Sequence, residues 1–441
     1  MKILQRKIIE QLQHWRQRAG HKPLLLHGAR QVGKTYAALA FGKVYYKNTV
    51  YLNFEGNPEL VRIFAGNLAP ARLVQEIEAY LGQTILPHDT LLVFDEVQAC
   101  ERALTSLKYF CEEAPEYDIL AVGSLLGVAL HREHYSFPVG KVDMLQLYPL
   151  DFEEFLWAIG ETRMAQAIRE AYNRMEAFAL HERALALYRL YLVVGGMPQV
   201  VQTYAETRDF NLVQSTQKNL EHAYVADMAK YATPQETARI MAVWDSLPAQ
   251  LAKENSKFQY KLVKSGARAH QYAMALDWLQ AAGLVNRCTC TTEGRLPLAA
   301  FAKSDTFKLY LVDTGLLCAK FGIPAQIVLH APHSFDAFKG ALTENYVMQV
   351  LTVNGLRPYY WTSKGTAEVD FVYQDAQGRI VPVEVKAAQH VRAKSLHQFC
   401  QTYAITHAIR ISARNFGAEG DIISLPLYAA FCLHDGTSSG Q

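Results

Sequence analysis

Eight residues near the start of the chain have the types and spacing needed to bind phosphate, because they fit the pattern G-x-x-x-x-G-K-[ST]. The two glycines let backbone N–H groups turn towards phosphate oxygens without a Cβ in the way. The lysine would neutralise phosphate charge and the final hydroxyl would ligate Mg²⁺. The segment therefore predicts a site for ATP and Mg²⁺. Its residues are Gly28, Ala29, Arg30, Gln31, Val32, Gly33, Lys34 and Thr35.

The residues on either side of this loop favour the same interpretation. The apolar run 23–27 predicts a buried strand that leads into the loop. The run 36–40 predicts a helix whose N-terminus faces the phosphates. A glycine-rich turn with a stray lysine is the alternative, and the strand–loop–helix order favours the phosphate-binding loop (P-loop) over it.

A second apolar run, residues 91–94, ends in the acids Asp95 and Glu96. Ligands bind at the carboxyl ends of strands in open parallel sheets, where these acids would lie. Asp95 would hold Mg²⁺, and Glu96 would polarise the water that attacks the γ-phosphate. Solvated strand ends can also be acidic, but the preceding P-loop strengthens the catalytic interpretation.

Further strands are predicted at residues 50–54, 118–122 and 142–147. Ser124 follows the second of these, at a position expected to lie between the P-loop and the acidic strand. Its hydroxyl would contact the γ-phosphate or the attacking water. Ser124 could equally cap the next helix, and the sequence leaves both roles open.

Composition limits the class of protein. With 441 residues and roughly 150 residues per domain, about three domains are expected. A net charge of +2 does not indicate histone-like binding, although a local basic groove remains possible.

We also expect a cytoplasmic protein without membrane association. The N-terminus lacks the apolar core of a signal peptide, no apolar run reaches the ~20 residues that span a bilayer, and the scattered cysteines suit a reducing compartment.

The middle of the chain is predicted to be helical from residue 151 to about 230, with a break at Gly195-Gly196-Met197-Pro198. Residues 237–290 predict a winged helix: a short helix near 258–263, a longer one at 269–282 and a wing strand from 283. The longer helix of such a module enters the DNA major groove. DNA contact, a spacer role and a protein-interaction role all remain open. The basic edge that could contact DNA comprises Lys261, Lys264, Arg268 and His270.

The C-terminal third contains a second set of residues with possible chemistry. In the alternating run 366–373, Asp370 lies on the same side as Glu368. After a turn, a second alternating run places Glu384 and Lys386 together, so a hairpin could bring them to Asp370. Glu344 lies on a predicted helix that begins near residue 340. Carboxylates of this kind could bind Mg²⁺ and activate water, whereas a surface salt-bridge ladder is the plain alternative.

Taken together, these motifs resemble the AAA+-type ATPases of bacteria and archaea that carry a C-terminal DUF4143 domain. The resemblance rests on the P-loop, Leu-Val-Phe-Asp-Glu-Val-Gln, Gly-Ser-Leu-Leu and Leu-Tyr-Pro-Leu-Asp-Phe-Glu-Glu-Phe. It implies an α/β P-loop NTPase core of AAA+ type at 1–155 and a helical lid at 156–235. It further implies a winged-helix module at 236–300 and an α/β nuclease-like domain at 301–441.

The same resemblance assigns roles to particular residues. Ser124 takes the position called sensor 1. In the C-terminal part, Glu344, Asp370, Glu384 and Lys386 resemble the PD-(D/E)xK nuclease core, in which the three acids hold Mg²⁺. One departure is Lys141, where family members often have arginine, which can bridge phosphates bidentately as lysine cannot. Arg132, nine residues before Lys141, is an alternative arginine finger, although the sequence favours a solvated surface arginine there.

The leading hypothesis is an ATP-hydrolysing enzyme whose nucleotide state drives the lid and winged helix, coupled to a nuclease-like domain that acts on DNA or RNA. The alternative is a non-nucleolytic ATP-driven switch that recruits a protein partner. A homo-oligomer is expected from the resemblance, because AAA+ proteins usually complete their sites between subunits.

Overall fold

A computed structural model describes residues 4–123, 137–253, 257–330, 336–363, 367–387 and 394–434. Ser124 and Arg132 therefore lie outside the described residues. The chain divides into two compact units. One consists of Gln5–Tyr148 with Ala281–Gly283, and the other of Pro149–Gln280 and Leu284 onward with Met1–Leu4.

The first unit contains a parallel sheet between two layers of helices. Side chains of the third to fifth helices pack against one face of the sheet, and the second helix packs against β2, β3 and β4. The strands are β1 (Leu24–His27), β2 (Asn48–Asn53), β3 (Thr90–Asp95), β4 (Asp118–Gly123) and β5 (Asp143–Gln146). The helices are α1 (Ile8–Gln17), α2 (Lys34–Tyr45), α3 (Pro58–Ile63), α4 (Pro70–Leu81) and α5 (Glu101–Glu113).

The order of the strands in this sheet is β2-β3-β4-β1-β5, and all neighbouring pairs are parallel. Strands β3 and β4 are buried along their whole length, as continuous apolar strands covered on both faces must be. Because these strands are parallel, the P-loop after β1 and the acids at the end of β3 lie at the same edge of the sheet, with the end of β4 between them. This arrangement confirms the predicted α/β class and the predicted place of the strand before Ser124.

The second unit begins with six helices that continue to Leu251. Asp151 caps the first of them in a reciprocal arrangement with Glu154. Pro198 begins the fourth, directly after the predicted helix break. The helices are α6 (Phe152–Ala158), α7 (Thr162–Arg174), α8 (His181–Val194), α9 (Pro198–Thr207), α10 (Phe210–Tyr231) and α11 (Pro234–Leu251).

The two glycines at the α8–α9 break are needed because other backbone lies against them. A Cβ on Gly196 would lie 1.9 Å from the Leu150 carbonyl oxygen, and one on Gly195, at φ +75°, would lie 2.4 Å from Asp313 Oδ1. Asp313 is buried and accepts hydrogen bonds from the N–H groups of Gly196 and Leu316. Burial raises the pKa of Asp313 to about 6, despite these hydrogen bonds. The glycine pair therefore lets the α8–α9 turn pack against this carboxylate.

A mixed eight-stranded sheet completes the second unit, in the order β12-β13-β11-β10-β9-β8-β6-β7. Its first strands are β6 (Val285–Thr291), β7 (Ala302–Leu311), β8 (Tyr359–Thr362) and β9 (Glu368–Gln374). The others are β10 (Ile380–Lys386), β11 (Ala408–Ser412), β12 (Gly417–Glu419) and β13 (Ile422–Pro426). The helices are α12 (Tyr260–Val263), α13 (Ala269–Ala281), α14 (Thr314–Lys320), α15 (Ala325–His330), α16 (Asp336–Val353) and α17 (Lys394–Tyr403).

The expected wing strand is part of this sheet. Strand β6 forms an antiparallel hairpin with β7 and also pairs in parallel with β8. The domain boundary expected at 300/301 falls inside this hairpin. Helix α16 begins at Asp336, four residues before the predicted start, so Glu344 lies in its interior. No helix among the described residues has the length and apolarity to span a bilayer.

Candidate functional site

The P-loop adopts a backbone that only its glycines permit. Gly28 has φ +147°, and a Cβ there would lie 2.1 Å from the Leu147 carbonyl oxygen. Gly33, at φ +90°, precedes the first turn of α2, whose leading N–H groups have no partner within the helix. The loop therefore presents a helix N-terminus at the carboxyl edge of the sheet, which is a favourable place for phosphate.

Lys34 is buried behind this loop. Its Nζ donates to the carbonyl oxygens of Gly28 (3.1 Å) and Ala29 (2.8 Å). Burial lowers the pKa of Lys34 to about 8, although the charges of Glu96 and Asp95 oppose that effect. The ammonium is thus held by neutral acceptors, and a bound anion would stabilise its charge. The residues fit the phosphates of a nucleotide.

The predicted magnesium ligands of this site lie together. Thr35 Oγ1 donates to Asp95 Oδ2 at 2.9 Å, and the Glu96 N–H donates to Asp95 Oδ1 at 3.0 Å. Asp95 is buried. A hydroxyl beside a carboxylate at the end of the P-loop fits a Mg²⁺ ion held by Thr35 and Asp95.

Sequence reasoning missed Tyr51 at this site. Its hydroxyl donates to the same Asp95 oxygen at 2.7 Å, and burial together with this hydrogen bond raises the pKa of Tyr51. Tyr51 lies on β2, which pairs with β3. The only signal in the sequence was a tyrosine near the end of the neighbouring strand.

Glu96 occupies a left-handed backbone conformation, with φ +51° and ψ +44°. For a residue with a Cβ this conformation costs about 1–3 kcal/mol and is found preferentially at functional sites. Gln98 Nε2 donates a hydrogen bond to Glu96 Oε2. The strained turn and this hydrogen bond orient the carboxylate that follows β3.

Lys141, where the resemblance expects arginine, forms an ion pair with Glu112 of α5, with 2.8 Å between Nζ and Oε1. The pairing raises the pKa of Lys141 and lowers that of Glu112. This ion pair accounts for the position of the Lys141 side chain within the first unit.

In the second unit, the structure brings Asp370, Glu384 and Lys386 to one place. Strands β9 and β10 are antiparallel with Phe371 opposite Val383, so Asp370 and Glu384 form the next opposed pair and share the other face of the sheet. Lys386 Nζ lies 3.6 Å from Asp370 Oδ2 and 3.4 Å from Glu384 Oε1. The Val385 N–H also donates to Asp370 Oδ2, at 2.7 Å.

The fourth predicted member, Glu344, is engaged by two residues of β7. Tyr310 OH donates to Glu344 Oε2 at 3.0 Å, and Lys308 Nζ lies 3.5 Å from the same oxygen. Lys308 is almost fully buried and lies 2.6 Å from Glu368 Oε1. Burial lowers the pKa of Lys308, but the charges of Glu344, Glu368 and Asp370 outweigh burial and raise it. We refer to Glu344, Glu368, Asp370, Glu384, Lys308 and Lys386 as the acidic cluster.

Burial raises the pKa of Asp370 to about 6, and the charge of Glu344 adds to this effect while Lys386 and Lys308 oppose it. Among the described residues, no group of three or more His, Cys, Asp or Glu side chains has the arrangement of a metal site. The predicted acids thus lie near one another, but in ion pairs with lysines.

Sequence reasoning also missed Lys308 and Tyr310. The available signal was a single charge within the apolar run 307–312, which becomes the buried half of β7. A buried lysine requires anionic partners, so this residue signalled nearby carboxylates without showing which ones they are.

Three family models match successive parts of the chain. Residues 20–156 match a model described as an AAA domain, residues 185–327 a domain of unknown function, DUF8612, and residues 339–428 another, DUF4143. Together with the parallel sheet and the P-loop geometry, the first match identifies residues 20–156 as a P-loop domain similar to AAA domains. The last match identifies a C-terminal DUF4143 region within the mixed sheet.

Several solved structures are similar to the chain at low identity. The Walker-type ATPase of Pyrococcus abyssi is 15% identical with a TM-score of 0.45, over 72% of this chain and 96% of that one. The Aeropyrum pernix ORC2 protein is 13% identical with a TM-score of 0.34, over 76% and 90%. The Aeropyrum pernix ORC1 protein in complex with DNA is 12% identical with a TM-score of 0.29, over 73% and 92%. None of the curated proteins compared with the chain matches it.

Proposed function

We propose that this chain is an ATP hydrolase that uses Mg²⁺. The observation that carries the proposal is the 2.9 Å contact between Thr35 Oγ1 and Asp95 Oδ2, directly behind the P-loop and beside Glu96. A hydroxyl and a carboxylate in contact at this point are what a magnesium ion bound to nucleotide phosphates requires.

The proposed roles follow from this geometry. The backbone of residues 28–35 and the Lys34 ammonium bind the β- and γ-phosphates. Thr35 and Asp95 hold Mg²⁺, which neutralises phosphate charge when bound. Glu96 takes a proton from the attacking water, and Ser124 is proposed to contact the γ-phosphate.

Steady-state ATP turnover and nucleotide binding test these roles separately. In Lys34→Ala, binding of the nucleotide should be lost, because the buried cation behind the phosphates is removed. In Lys386→Ala, which removes a lysine from the acidic cluster, both binding and turnover should persist. Equal turnover in Lys34→Ala and the unaltered protein would reject the site.

We further propose the division into an ATPase core at 1–155, a helical lid at 156–235, a winged-helix module at 236–300 and a nuclease-like part at 301–441. The exposure of the basic edge around α12 and α13 supports contact with DNA or RNA. Nucleic-acid binding should weaken in Lys261→Ala with Lys264→Ala, with a smaller dependence on salt concentration. Unchanged binding and salt dependence would exclude this edge as the contact.

A second candidate function, cleavage of nucleic acid, is favoured by the meeting of Asp370, Glu384 and Lys386 on neighbouring strands. The other candidate for this region is a non-nucleolytic switch that binds a protein partner, and the ion pairs of Lys308 favour it. Cleavage assays on Asp370→Ala separate the two: Mg²⁺-dependent cutting that this variant abolishes supports a nuclease. We also propose a homo-oligomer, to be tested by the mass in solution with and without ATP.

A further inference from the structure

Lys308 is the most deeply buried charged group of the acidic cluster, with 1% of its side chain exposed. An ammonium removed from water costs several kcal/mol unless carboxylates compensate it. Glu368, at 2.6 Å, and Glu344, at 3.5 Å, provide that compensation. The Tyr360 ring, with its centroid 5.2 Å from Nζ, adds a further favourable contact. Lys308 is therefore an integral part of the cluster, anchored on three sides.

We propose that Lys308 neutralises the carboxylates of this cluster, so that the cluster does not bind the divalent metal ion that a nuclease-like arrangement implies. The inference concerns the C-terminal site alone and does not depend on ATP hydrolysis by the first unit.

The fit of the three acids to a metal ion is poor because lysines already hold them. Glu344 Oε2 receives both Tyr310 OH and Lys308. Asp370 Oδ2 receives the Val385 N–H and Lys386. Glu384 Oε1 faces Lys386 at 3.4 Å. A magnesium ion needs carboxylate oxygens at about 2.0–2.1 Å in near-octahedral geometry, and these oxygens are occupied by ammonium and N–H donors.

Charge alone does not exclude a metal, because the four carboxylates outnumber the two lysines in the cluster. Geometry opposes it, because the buried Lys308 ammonium lies 3.5 Å from Glu344 on the helix and 2.6 Å from Glu368 on the strand. One oxygen, Glu384 Oε2, is buried without a hydrogen-bond partner. This oxygen can accept a hydrogen bond from water or from a ligand hydroxyl.

The strand that carries Lys308 differs from the strands that carry the acids predicted for a nuclease. Lys308 and Tyr310 both lie on β7, whereas Asp370, Glu384 and Lys386 lie on β9 and β10. The β6–β7 hairpin therefore provides the cation, and α16 provides Glu344. This composite cluster favours the switch over the nuclease as the role of the C-terminal region.

Manganese binding to the full-length, nucleotide-free protein tests the proposal. All samples carry Asp95→Asn, so that the P-loop contributes no metal site, and bound Mn²⁺ is counted by electron paramagnetic resonance. Lys308→Met with Glu368→Gln removes a neutral pair and preserves the net charge of the cluster. We expect no Mn²⁺ at the cluster of the parent and one equivalent in this double variant. Adding Asp370→Asn should abolish that gain.

Two results would overturn the proposal. One is a Mn²⁺ ion in the parent that Asp370→Asn removes, because the metal then binds beside Lys308. The other is a double variant that folds, as judged by circular dichroism, and yet gains no Mn²⁺. Lys308→Met alone provides the same comparison if the double variant does not fold, and the parent measurement needs no change at Lys308. ATP turnover of the Asp95 form of each variant is measured separately, so a failed ATPase proposal is distinguished from a failed metal proposal.

Discussion

Two regions of this molecule combine buried lysines with carboxylates, and they use them in opposite ways. In the P-loop, Lys34 donates to two backbone carbonyl oxygens, while Asp95 accepts from the hydroxyls of Thr35 and Tyr51. In the acidic cluster, Lys308 and Lys386 are paired directly with carboxylates. A lysine held by neutral carbonyls can bind an anion, whereas a lysine paired with carboxylates is already neutralised. The first region is therefore suited to nucleotide and metal, and the second is closed to metal.

The largest expected effect is a loss of ATP turnover when the proposed general base beside the P-loop is replaced. Glu96→Gln should reduce ATP turnover by roughly 10²–10⁴-fold, because a positioned general base contributes about that much, while ATP binding persists. Phosphate release and nucleotide affinity are the two measurements. Glu113→Gln, an exposed acid at the end of α5, serves as the matched control. Undiminished turnover in Glu96→Gln would remove the proposed base.

The next largest effect is a loss of folding stability when the buried lysine of the acidic cluster is replaced. Lys308→Ala leaves buried carboxylates without their cation, and breaking a buried pair in this way costs about 3–5 kcal/mol. Chemical denaturation should show that loss in the free energy of unfolding. The charge-matched Lys308→Met with Glu368→Gln should be markedly less destabilised. Similar losses in both variants would contradict the pairing on which the comparison depends.

The affinity for ATP should depend on pH, because the charge of Lys34 in the P-loop changes near pH 8. The pKa of Lys34 in the free protein is about 8, and phosphate would raise it in the complex. Below pH 8 the ammonium is already formed, so ATP affinity should be constant. Above pH 8 binding must take up a proton, and affinity should fall by up to about ten-fold per pH unit. Calorimetric titrations at pH 7, 8 and 9 measure this slope, which should disappear in Lys34→Met.

The smallest expected effect is on Mg²⁺-ATP binding, and it tests whether Tyr51 supports Asp95. Tyr51→Phe removes one hydrogen bond to Asp95, worth about 1 kcal/mol, and should weaken Mg²⁺-ATP binding by several-fold without abolishing turnover. Tyr45→Phe, on α2, provides a control hydroxyl in the same unit. Identical affinities in the two variants would show that Tyr51 does not support Asp95.

The P-loop and the strands around it were predictable because their signals are local. The glycine spacing, the apolar runs and the acids after β3 all lie within short windows of sequence. Tyr51 and Lys308 could not be assigned to their sites in this way, since each reaches its site from another strand. The continuous second sheet was also hidden, because the parallel pairing of Thr289 with Tyr359 joins residues that are distant in the chain. Ser124 remains a prediction.

The number of manganese ions bound with a non-hydrolysable ATP analogue tests both sides of the comparison at once. We expect one Mn²⁺ per chain, which Asp95→Asn removes and Asp370→Asn leaves in place. Two ions per chain, or a single ion that responds to Asp370→Asn, would contradict it.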